Sequence, residues 1–87
     1  MSVYDKLPEH LQGGMKRYVE KGIGAGHFLT AVLSNDLVGA VSRGDPASLE
    51  ALPDIVRWLY WEIPSNAWGS SEAVKNWRGD GVLNGRD

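Results

Sequence analysis

Between Gly22 and Phe28 the chain reads GIGAGHF, three glycines alternating with small residues and running straight into an apolar segment. Unpaired backbone N–H groups at a helix start, absent side chains and the positive end of the helix dipole suit such a stretch to a phosphate or carboxylate. Gly24, Gly26 and His27 are therefore candidate contacts for an anionic ligand. The spacing matches no established nucleotide fingerprint, since a dinucleotide turn follows a strand and a P-loop carries Gly-Lys-Ser/Thr. A purely mechanical reading competes with it: Gly22 ends one helix, Gly24 and Gly26 permit a tight turn, and His27 is a solvated first-turn residue.

Asn35 and Asp36 form the second candidate. On a continuous helix Asn35 falls in line with Phe28, Val32 and Gly39, and Asp36 with Leu29, Leu33 and Ala40, which puts both inside the apolar arc. An unpaired carboxylate there is too costly to persist, so Asp36 is expected to be buried or pocket-lining, paired with an arginine such as Arg57 or Arg17, meeting a helix N-terminus, or facing a polar ligand. Gly24, Gly26, His27, Phe28, Asn35 and Asp36 make up the candidate ligand set. Trp58 and Trp61 are the third candidate, because at 100° per residue they lie with Asp54 opposite the stripe of Leu52, Ile55, Val56, Leu59 and Ile63. Trp58, Trp61, Arg57 and Asp54 are accordingly read as an interface with a second copy or another protein, the alternative for the two tryptophans being a stacking platform for a planar ring.

The inventory for catalysis is poor. His10 and His27 are the only histidines, and neither belongs to a nucleophile motif or a metal-ligand spacing. Glu9, Glu20, Glu50, Asp54 and Glu62 fall where solvated helix faces are expected. No catalytic residue, metal or cofactor is expected.

The elements that must position these residues are helices. Leu7, Leu11, Met15, Tyr18 and Val19 recur at steps of three and four, giving a helix over about 8–21 with Gly13-Gly14 as a kink or a close approach. A second helix over about 27–42 is apolar around more than half its circumference and should be central. Asp45-Pro46 begins a third segment in which Pro53 forces a restart or a kink, with the main helix over about 53–63. Ser70 caps a short fourth helix over about 71–78, docked by Val74 and Trp77. No strand alternation is visible, so the fold class is all-α: a small bundle of three main helices plus a short fourth. Residues 1–79 are read as a single helical domain and 80–87, DGVLNGRD, as a flexible C-terminal tail.

Eighty-seven residues allow one small core, for which oligomerisation is the natural supplement because the chain has no cysteine. Nine Lys and Arg against eleven Asp and Glu give a net charge of -2 without blocks of either sign, which argues against nucleic acid as a partner. No apolar stretch approaches the roughly 20 residues of a membrane span, and the first ten residues do not resemble a signal peptide. A cytoplasmic protein is expected.

GIGAGHFLTAVLSNDLVGAV, followed by AWGSSEAVKNW, resembles a family of small proteins encoded in phages and prophages of proteobacteria. The likeness spans about residues 7–78 and is carried by Phe28-Leu29, Ala31 to Leu33, Asn35 to Leu37 and Trp68 to Ser70. It brings no reaction and no catalytic residue. It implies a phage accessory protein of counter-defence type in the host cytoplasm, acting stoichiometrically. The expected function is an oligomeric binder that sequesters an anionic nucleotide-type small molecule. The alternative is an inhibitor that binds a host defence protein through an exposed aromatic face.

Overall fold

The computed structural model describes residues 3–79, and every regular element among them is helical. A 3-10 turn at Val3–Lys6 leads into α1 (Glu9–Lys21), α2 (His27–Leu33), α3 (Leu37–Arg43), α4 (Pro46–Glu50) and α5 (Leu52–Glu62). A second 3-10 turn at Ser65–Ala67 precedes α6 (Ser71–Asn76). The all-α expectation holds, whereas the count of three main helices and one short one does not. The expected tail, residues 80–87, lies outside the described residues.

Helix α1 buries Met15, Tyr18 and Val19 and turns Glu9, Lys16, Arg17 and Lys21 to water. Gly13-Gly14 does not break it. A Cβ at Gly14 would stand 3.4 Å from the Ala25 carbonyl oxygen, so the missing side chain lets the turn into α2 lie close against α1. The helix ends at Gly22, whose left-handed backbone (φ 72°) brings its N–H to the Tyr18 carbonyl at 2.9 Å. That glycine also faces the end of the described chain: a Cβ on it would lie 2.7 Å from the Arg78 backbone, and one on Gly79 2.6 Å from the Glu20 carbonyl oxygen.

The expected helix over 27–42 is two helices. Asn35 adopts φ 62°, its N–H bonds to the Val32 carbonyl at 3.0 Å, and the Asp36 N–H bonds to the Ala31 carbonyl at 2.8 Å. This is a left-handed closure with Asn35 where glycine is commonest. Asp36 then starts α3, its Oδ1 accepting from the Gly39 N–H at 3.0 Å. One residue stops a helix and the next starts another. Five of the seven residues of α2 are buried, so this short helix is the centre of the molecule, as its apolar circumference requires.

Pro53 restarts the helix after α4, and α5 then presents Ile55, Trp58 and Leu59 to the core. That face is rotated from the expected one, because the first 3-10 turn supplies a packing layer that periodicity within α5 does not reveal. Tyr4 is buried there, its ring 5.6 Å from that of Trp58. Val56 is displaced to the outside in exchange. Helix α6 is capped by the Ser70 hydroxyl, which accepts from the Ala73 N–H at 3.1 Å, and Val74 and Trp77 pack against the core as expected.

Candidate functional site

The glycine turn delivers Gly26 to the start of α2 with φ 89° and no side-chain cap. The first helical bond there runs from the Thr30 N–H to the Gly26 carbonyl at 2.9 Å, so the amides of His27, Phe28 and Leu29 find no carbonyl within the helix. Along one side of α2 lies an open hollow of about 700 Å³ lined by Gly26, His27, Thr30, Ala31, Ser34, Asp36 and Arg43, with Ser71 from the start of α6. Arg43 makes no ion pair within 4 Å among the described residues. Its charge is offset by a neighbour all the same. A Cβ on Gly39 would collide with the Asp36 carboxylate and stand 3.0 Å from Arg43 Nη1, so the two opposite charges flank the same bare stretch of α3.

The six candidate ligand residues are therefore only partly brought together. Gly26, His27 and Asp36 line the hollow; Gly24 is exposed with nothing within 4 Å of its Cβ position. Phe28 is turned into the core, and a Cβ on Gly44 would lie 2.7 Å from its ring. Asn35 opens onto a different, shallow groove between α3 and α5. Of the expected partners for Asp36, the structure shows the helix N-terminus and neither Arg17 nor Arg57: it lines the hollow as an exposed cap of α3, because the helix breaks before it and its phase is not continued from α2.

The tryptophans divide in the same way. Trp58 is 4% exposed and its Nε1 donates to the Val3 carbonyl at 2.9 Å, so it is a core residue and not an interface anchor. Trp61 is 75% exposed, in edge-to-face contact with Tyr60, itself 68% exposed, at a centroid distance of 5.0 Å. Beside Trp61 lies a hollow of about 380 Å³ bordered by Lys6, Asp54, Arg57 and Glu62. Arg57 Nη1 meets Asp54 Oδ1 at 3.1 Å in full view of solvent. Three of the four residues expected at an interface thus share one outward face, and Tyr60 joins them. Its helical position, adjacent to Trp61 and outside the buried arc, was the available signal.

One cluster escapes motif reading altogether. His10 Nε2 lies 2.9 Å from the Ser48 hydroxyl and 3.7 Å from Asp45 Oδ1. Serine, histidine and aspartate meet here, but both partners sit at the same imidazole nitrogen, so the carboxylate cannot orient the ring from the far side as a catalytic triad demands. Ser48 is also only 2% exposed, which keeps its oxygen from a substrate. The arrangement ties α1 to the start of α4. Hydrogen bonding from Ser48 holds the Asp45 carboxyl below its usual range. No group of three or more metal-ligating side chains occurs among the described residues, and none of their helices is long and apolar enough to cross a membrane. Comparison with known proteins finds no matching family model, no matching curated protein and no matching solved structure.

Proposed function

We propose that the protein acts by stoichiometric binding of another protein through the outer face of α5. The observation that carries this reading is the edge-to-face pair Tyr60 and Trp61, held in water on the side of α5 opposite Ile55 and Leu59. Large aromatics flanked by arginine are the residue types on which protein interfaces concentrate their binding energy. Lys6 and Arg57 alternate with Asp54 and Glu62 around the adjoining hollow, which favours a partner that inserts one apolar side chain beside Trp61 and brings charges of both signs to the rim. The resemblance to small phage proteins makes host defence proteins the first partners to try.

The test is a comparison of the parent chain with Trp61→Ala as bait, followed by affinity measurement on each recovered partner in purified form. Loss of at least about thirtyfold in affinity is expected for a hot-spot tryptophan. A partner held equally well by Trp61→Ala would remove the proposal.

A second reading is supported by the hollow beside α2, where Gly26, His27 and Arg43, with the Asp36 carboxylate as the one acidic group, line a space large enough for a nucleotide-type anion. Titration calorimetry with cyclic dinucleotides and ADP-ribose-type nucleotides tests it, with Arg43→Ala as the control. Gly26→Val is the wrong control, since φ 89° disfavours any side chain whether or not a ligand binds. Binding unaffected by Arg43→Ala would place the ligand elsewhere.

A further inference from the structure

Helix α3 meets water with an uncharged arc. Leu37 is 67% exposed, Val38 80% and Val41 51%, whereas the solvated side of α1 carries Glu9, Lys16, Arg17 and Lys21. Arg43, the one charge on α3, lies on the other side, toward Gly39 and the polar hollow. The aliphatic arc continues across a groove lined by Leu37, Val56, Val32, Ala40 and Leu52, with Asn35 and Asp36 as its polar end. Tyr60, one turn beyond Val56, extends it along α5.

We infer that this α3–α5 face is covered by a second copy of the chain in a two-fold dimer. Three observations lead to that occupant. With Val56 41% exposed, Leu37, Val38, Val41, Val56 and Tyr60 together leave on the order of 500 Å² in water. That is the apolar content of one side of an interface burying about 800 Å² per partner. A two-fold contact requires one patch to be complementary to itself. The face meets that requirement, because an aliphatic ridge, Val38 and Val41, stands beside a groove of about 60 Å³ with room for one branched side-chain end. The ridge of each copy enters the groove of the other. Finally, the monomer core is small, and burying this face adds to it without a disulfide or a metal.

This proposal shares Tyr60 with the α5 outer-face reading and differs from it at Val38, Val41 and Trp61, so its test separates the two. Sedimentation velocity on the full chain is expected to give twice the 9.5 kDa chain mass at micromolar concentration. Val38→Lys and Val41→Lys, each present twice in a two-fold contact, are expected to weaken association at least about a hundredfold with the helical circular dichroism unchanged. Trp61→Ala is expected to leave the dimer intact. A monomer at all concentrations up to about 100 µM overturns the proposal and leaves the face to a different partner, as does a dimer indifferent to both lysine variants. Should either variant lose helicity, amide exchange on the parent chain decides: protection in α3 must fall on dilution, and protection independent of concentration overturns the dimer.

Discussion

Tyr18, Trp58 and Trp77 are each held at two ends, with the ring packed against or within the core and the polar tip on a distant backbone carbonyl. The Tyr18 hydroxyl donates to the Ala67 carbonyl at 2.6 Å, Trp58 Nε1 to that of Val3 at 2.9 Å and Trp77 Nε1 to that of Tyr18 at 2.8 Å. Such residues resist substitution by their nearest relatives. Tyr18→Phe keeps the ring but strands a buried carbonyl, and is expected to cost about 1–2 kcal/mol in urea denaturation at neutral pH. The same side chain sets an alkaline limit. Burial pushes the Tyr18 phenol up to about 12 from its usual 10.0. Below pH 10 it is protonated in folded and unfolded chains alike, and its contribution is fully present. As pH rises through about 12 the unfolded chain has already lost the proton that the folded one keeps, so stability falls across that window. Tyr4 is shifted in the same direction, by burial first and by Glu20 second, and adds to the fall. Denaturation midpoints between pH 9 and 12 should therefore decline less steeply in Tyr18→Phe than in the parent.

The elements owe their boundaries to short-range chemistry, and the Asn35-Asp36 corner is the sharpest case. Asp36→Ala removes a cap from α3 and is expected to cost about 1 kcal/mol. Asn35→Ala, placed at φ 62°, should cost a similar amount, and Asn35→Gly should be close to neutral. If Asp36 were instead the buried partner of an arginine, its loss would cost about 3–5 kcal/mol, so thermal denaturation of these variants distinguishes the two arrangements. The boundaries of α1, the restart at Pro53 and the Ser70 cap were all legible in the sequence, because each rests on residues within one turn of the boundary. The corner was written there too, as an asparagine followed by an aspartate three residues before Gly39. It was hidden by the apolar spacing, which runs on through the break as if one helix continued. Trp58 was hidden for a different reason. What buries it is the turn around Tyr4, some fifty residues away in the chain, and periodicity inside α5 carries no information about that neighbour. The candidate site suffered from both effects, so that Phe28 and Trp58 belong to the core and Tyr60 joins the surface instead.

Taken whole, the molecule distributes its chemistry by side: a polar hollow beside α2, a mixed-charge aromatic face on α5, and an aliphatic face on α3. What holds these sides in one body within extents of 34 × 29 × 19 Å includes contacts that span most of the described chain. The three aromatic-to-carbonyl bonds join residues 49, 55 and 59 positions apart, and their loops overlap. That overlap couples the three closures. Once Tyr18 has found Ala67, the path from Tyr18 to Trp77 shortens to about ten residues and that from Val3 to Trp58 to about two dozen. By the logarithmic dependence of loop closure on length, the entropic resistance drops by about 1.6 and 0.7 kcal/mol respectively. The three contacts therefore support one another: whichever closes, the entropic resistance to the remaining two falls.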